Sequence, residues 1–207
     1  MNEIIGLIVN NGLLNEGQEQ LNARKEASLQ DGNHLIGSAD AGIYVRSLYR
    51  MGDLLYCMAR TGKAKRLLVC GTGVQASSFP FDVSADEDQG VAYQAVPLEA
   101  RHAKVLHELF PFTKPRSLRE ERTTIGMGDR LGRATAGQLR AARKYPVAPV
   151  LAQQSIRELE FTGRSFADVV ADASFMVFEE GFERGFGADG DHLKTIEDMD
   201  TALAEHM

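Results

Sequence analysis

The sequence predicts an α/β protein in two parts: an amino-terminal α/β domain over residues 1–118, then the first strand-helix units of a (β/α) barrel-like domain over 119–207. Two observations carry this reading. From Thr123 onward, short apolar runs alternate with segments of helical period, the βαβ pattern that builds parallel sheets. Polar clusters close each of those runs, where parallel-strand proteins assemble their sites.

In the first part, Ile4 to Val9 and Arg66 to Cys70 are short apolar runs that predict strands, each followed by glycine. Between them Tyr44, Leu48, Leu55 and Met58, flanked by Met51 and Leu54, recur at helical spacing and predict a helix over Ile43 to Ala59. Residues 82–90 are acidic and polar (Asp82, Asp86, Glu87, Asp88) and read as a solvated loop before Gly90. A helix is expected over Leu98 to Leu109, Pro111 and Pro115 then suggest a hinge, and the domain boundary falls near Leu118. Gly71-Thr72-Gly73 lacks the third glycine and the lysine of phosphate loops, so nucleotide binding is not expected there. His102 and His107, five apart, have poor spacing for two ligands on one helix face and read as structural.

In the second part, Thr123 to Gly128, Val147 to Gln153 and Phe186 to Asp191 predict strands. Thr135 to Lys144 predicts a helix with Thr135 as N-cap. Phe166, Val169, Val170, Ala173, Val177 and Gly181 mark one face of a long helix capped by Ser165, near whose end Glu179 and Glu180 are expected to be solvated. A last helix starts at Thr195, with Glu197 and Asp198 in its first turn.

Composition narrows the function classes. With 43% hydrophobic and 25% charged residues the chain is ordinarily globular. A net charge of -6 without a basic stripe argues against nucleic acid, and no apolar run is long enough to span a bilayer. Cys57 and Cys70 lack CxxC spacing and no basic leader precedes Ile4, so buried, reduced thiols in a cytoplasmic protein are expected. A homo-oligomer is an open expectation.

Three polar clusters follow the three strands: Asp129-Arg130, then Gln153-Gln154-Ser155, then Asp189, Asp191, His192 and Lys194. In a (β/α) barrel such ends converge on one rim, so residues far apart in sequence share a pocket. The last cluster packs carboxylates, an imidazole and an ammonium into six residues, the groups of acid/base or metal chemistry. Each has a structural alternative. Asp129 could cap the next helix, the glutamines and Ser155 could satisfy backbone at a turn, and His192 could be a hydrogen-bonded surface histidine.

Gly126-Met127-Gly128-Asp129-Arg130-Leu131-Gly132, Ala148-Pro149-Val150-Leu151-Ala152-Gln153-Gln154-Ser155-Ile156-Arg157-Glu158, Val177-Phe178-Glu179-Glu180-Gly181-Phe182 and Gly187-Ala188-Asp189-Gly190-Asp191-His192-Leu193-Lys194 stand in one order. In these stretches the chain resembles the tagaturonate epimerase family. The resemblance implies a divalent metal cation as cofactor and interconversion of the keto sugar acids tagaturonate and fructuronate. It also implies a chain more than twice this length, so this one reads as an amino-terminal portion. The two hexulosonates differ at a carbon two bonds from the ketone, which enolisation cannot reach. Retro-aldol cleavage and re-addition can, given a base on the hydroxyl. On that reading Asp191 is the base and His192 a metal ligand, with Asp189 orienting them. Arg130 and Lys194 take the substrate carboxylate, and Asp129, Gln153, Gln154 and Ser155 are substrate contacts. Another metal-dependent sugar-acid aldolase or isomerase, and a non-catalytic α/β binding module, are the competing readings.

Overall fold

Ile4, Ile5 and Ile8 are fully buried while Glu3 and Val9 are exposed, a 3.6-residue period, and the stretch expected as a strand is helix α1, Asn2–Asn10. An apolar run of six residues does not distinguish the two structures. The computed structural model describes residues 1–129 and 131–207, in two compact units, Met1–Leu98 and Glu99–Met207.

The first unit contains α1, α2 (Gln18–Asp31) and strands β1 (Leu35–Gly37), β2 (Ala41–Tyr44), β3 (Tyr49–Met51), β4 (Leu54–Thr61), β5 (Ala64–Thr72), β6 (Asp86–Asp88) and β7 (Val91–Val96). They form one sheet in the order β1-β2-β4-β5-β7-β6, with β3 also on β4, and every pairing is antiparallel. The helix expected over Ile43 to Ala59 is therefore β2, β3 and β4. Leu54 to Ala59 are all buried: Leu55, Cys57 and Ala59 join the core under α1, while Leu54, Tyr56 and Met58 fill the opposite face. A strand apolar on both faces matches helical spacing by accident. Two hairpin signals mark the true pattern. Gly52, at φ 57°, opens the two-residue loop into β4, and Gly62, at φ 58°, the one into β5. The acidic stretch 82–90 likewise holds a hairpin, with Gln89 and Gly90 both at positive φ between β6 and β7. Cys57 and Cys70 are free and buried, and desolvation pushes the Cys70 thiol up to about 12.

The second unit follows the expected alternation more closely. It comprises α3 (Ala100–Leu109), β8 (Thr124–Gly126), α4 (Thr135–Ala142), β9 (Ala148–Ser155), α5 (Ile156–Thr162), α6 (Phe166–Glu179), β10 (Gly187–Asp191) and α7 (Ile196–Ala204). The strands form a parallel sheet, β8-β9-β10, in sequence order. α3, expected before a boundary near Leu118, packs on α6 and belongs to this unit, so the division falls at Leu98. Phe110 and Phe178, with ring centroids 5.0 Å apart, anchor the chain after α3 to α6, and His107 Nε2 lies 2.8 Å from Ser174 Oγ. Burial, with Lys114, His206 and Lys104 adding to it, lowers the His107 pKa to about 4, in keeping with a structural neutral imidazole.

Reciprocal capping boxes start three helices: Ser155 with Glu158, Ser165 with Asp168, and Thr195 with Asp198. α5, the first of them, was not expected. Glu179 and Glu180 are corrected from solvated to buried, each 1% exposed. Glu180 turns inward because Arg140 of α4 holds its Oε1 at 2.7 Å. Among the described residues no helix is long and apolar enough to cross a membrane.

Candidate functional site at the carboxyl ends of β9 and β10

The parallel register places Asp189 beside Gln153 and Asp191 beside Ser155. Paired residues of neighbouring strands share a face, so all four project from one side of the sheet. Gln153 Nε2 donates to Asp189 Oδ2 at 3.0 Å. Its Oε1 lies against the Cα of Gly128, where an added Cβ would sit 3.1 Å from it, and a Cβ at Gly126 would come within 3.3 Å. The two glycines let the end of β8 lie against this amide, so Gln153 ties all three strand ends together.

Beyond β10 the backbone turns sharply. His192 has φ 53°, one of three non-glycine residues at positive φ among those described. Successive strand side chains would point to opposite faces. The turn instead returns the imidazole to Asp191, and Nδ1 lies 2.7 Å from Asp191 Oδ1. Nδ1 thus faces a carboxylate oxygen, and Nε2 is the ring nitrogen that Asp191 does not engage. Among the described residues Asp191 Oδ2 makes no hydrogen bond. The orienting partner of His192 is thus Asp191, while Asp189 is engaged with Gln153.

His192 and Lys194 line a cleft of about 760 Å³ with Ser155, Arg157, Glu158, Glu160, Phe161 and Asp198. Several polar groups of this cleft are committed. Ser155 Oγ donates to Glu158 Oε2 at 3.2 Å, and Asp198 Oδ2 accepts the Lys194 and Thr195 N–H groups at 3.0 Å each. Those two donors hold the Asp198 carboxyl below its ordinary value. Arg157, Phe161 and Asp198 were missed because α5 was hidden behind the strand; the Ser155-x-x-Glu158 spacing was the signal that could have shown it.

Asp129 and Gln154 are engaged elsewhere. Asp129 is the cap of α4: its Oδ2 accepts from Thr135 N at 2.8 Å and Thr135 Oγ1 at 3.0 Å. Burial opposes its charge, but the N–H groups of Arg133, Thr135 and Ala134 outweigh that and lower its pKa. Thr135 is accordingly the first helical residue, and the expected capping role is taken by Asp129. Gln154 is 1% exposed and faces away from Gln153. Arg130 lies outside the described residues. Among the described residues no three His, Cys, Asp or Glu gather as a metal cage, and Nε2 of His192 is one donor.

Comparison with known proteins gives three concordant results. The family model for tagaturonate epimerase matches residues 44–207. A tagaturonate/fructuronate epimerase of Thermotoga maritima is 36% identical over 164 residues, which are 79% of this chain and 33% of the relative. Crystal structures of the fructuronate-tagaturonate epimerase of Cohnella laeviribosi superpose with a TM-score of 0.72, both in the native form (36% identical) and in a glycerol complex (35% identical). In each case 88% of this chain is covered, against 36% and 34% of the other. The chain thus spans about one third of the length of these relatives.

Proposed function

The chain belongs to the tagaturonate epimerase family, and from that premise we propose that a polypeptide of the relatives' length carrying it interconverts D-tagaturonate and D-fructuronate in the cytoplasm, with β8, β9 and β10 as strands of a (β/α) barrel. The observation that most supports this reading is the Asp191–His192 pair at the end of β10, whose His192, at positive φ, lines the cleft.

Asp191 Oδ2 takes the proton of the hydroxyl on the carbon to be inverted. The electron pair of that O–H bond forms a carbonyl there, the adjoining carbon-carbon bond breaks toward the ketone, and its electrons become an enolate. The aldehyde turns over, the enolate re-adds to its other face, and Asp191 returns the proton. The Nδ1–Oδ1 contact fixes the carboxylate while this happens. Lys194 supplies a positive charge near the developing oxyanion.

A divalent cation enters this proposal in one respect. Nε2 of His192 is available as a ligand, but a single imidazole does not hold such a cation, so the residues of this chain alone do not fit a complete site and no step is assigned to one.

The test is His192→Asn in the full-length protein, chosen because Asn tolerates the left-handed backbone that Ala does not. Turnover of tagaturonate is expected to fall at least about 100-fold, and bound metal to fall with it. Lost turnover with unchanged metal stoichiometry would remove His192 from the ligand role, and near-normal turnover would remove it from the site.

A further inference from the structure

We infer that Arg157, presented by α5, is the residue that recognises the carboxylate of the hexulosonate, with Phe161 as its support; the inference rests on the proposed substrate class and adds the group that selects an acid over a neutral sugar. The argument comes from elimination within the cleft. Of its charged or polar groups, Ser155, Glu158 and Asp198 are spent on helix caps, and His192 Nδ1 is spent on Asp191. Arg157, Glu160, Lys194 and His192 Nε2 remain to meet a ligand.

Glu160 repels a carboxylate. Lys194 lies two residues after His192, in the loop between β10 and α7, and so stands near the end where bonds are made and broken. Arg157 lies at the start of α5 and lines the same cleft as the turn after β10. Its guanidinium carbon sits 5.5 Å from the ring centroid of Phe161, one helical turn on, and no ion pair joins it to Glu160 among the described residues. A cation over a ring is held by its charge and leaves its N–H donors for other partners. Those donors radiate in the plane of the guanidinium, so the fork is held in place while its hydrogen-bonding edge stays open to a planar carboxylate.

Phe161 is 77% exposed, so its ring is open to the guanidinium and to a ligand in the cleft. Here it orders a side chain that would otherwise lose rotamer freedom on binding, and it offers the substrate's C–H face an apolar wall beside that fork. The carboxylate is the terminal group farthest from the ketone carbon's hydroxymethyl end. Anchoring it at Arg157 fixes the acid end of the substrate in the cleft.

The test compares tagaturonate with the neutral ketohexose in which a hydroxymethyl group replaces the carboxylate. Calorimetric Kd and steady-state KM and kcat are measured on the full-length protein, its Arg157→Gln variant and its Arg157→Lys variant. Arg157→Gln is expected to raise Kd and KM for tagaturonate by about 10- to 100-fold, the loss of a charged hydrogen-bonded contact, with kcat changed less than about threefold and no change in Kd for the neutral sugar. Arg157→Lys should fall between, keeping charge without the fork. An unchanged Kd for tagaturonate in Arg157→Gln would overturn the inference, as would an equal loss for the neutral sugar. Wild-type protein that binds tagaturonate through Arg157 without converting it would overturn the epimerase reading and leave the carboxylate site standing. Wild-type protein that does not bind tagaturonate would overturn both.

Discussion

Asp191→Asn is expected to lower kcat for epimerisation by about 10³- to 10⁴-fold, because an amide cannot accept the hydroxyl proton. The substitution is conservative in every other respect. The amide oxygen can still accept from His192 Nδ1 across the present 2.7 Å, so the ring stays oriented and Nε2 stays available. Protein stability and bound metal should therefore remain near wild type. Asp189→Asn is the control: Asp189 accepts from Gln153 at 3.0 Å, an exposed contact that an amide oxygen can also make, and a loss under about tenfold is expected. Steady-state kinetics on both variants decide the matter. Near-normal turnover in Asp191→Asn, or equal losses in the two, would remove Asp191 from the role of base.

Gly132→Ala is expected to cost about 2–4 kcal/mol of stability in the second unit. Gly132 adopts φ 66°, which by itself penalises any residue with a Cβ. That Cβ would also stand 2.1 Å from Asp172 Oδ2 and 2.4 Å from its Cγ, so the carboxylate must leave the position in which it pairs with Arg164. Burial already raises the Asp172 pKa against the pull of Arg164, and a displaced partner leaves a half-buried charge poorly compensated. Urea unfolding of Gly132→Ala, Asp172→Ala and the double variant separates the parts. In the Asp172→Ala background the carboxylate clash is gone, and the backbone cost, about 1–2 kcal/mol, should persist beside the tight 3.0 Å approach to the remaining Cβ at position 172. A shift below about 0.5 kcal/mol in the single variant would contradict the account.

What the sequence revealed differed between the two units for physical reasons. After Thr123 the strands are short, parallel and separated by helices whose starts are written in residues such as Ser165 and Thr195, so alternation and caps agree. Before it, β4 and β5 are buried on both faces, and an uninterrupted apolar run carries no period to read. The single-residue signals Gly52, Gly62 and Gly90 marked the hairpins, and a helical match over Ile43 to Ala59 outweighed them. The placement of Asp191 and His192 at the end of β10 was legible because they are adjacent and close an apolar, glycine-interrupted run. The turn at His192 that makes them partners is a backbone property its neighbours do not announce. Asp129 was ambiguous because a carboxylate after a strand serves a site or the next helix equally well, and here it caps α4. Arg157 escaped notice because a seven-residue helix directly after β9 looked like the end of a strand.

The central claim is that Asp191 acts on a hydroxyl proton while a carbon-carbon bond opens and closes. Its most direct test runs the full-length protein on tagaturonate in heavy water and follows the fructuronate by NMR at the inverted carbon. Retro-aldol chemistry leaves that carbon its own hydrogen, so the product signal there should retain protium. Stoichiometric deuterium at that carbon would show that its C–H bond had broken, and would contradict the account.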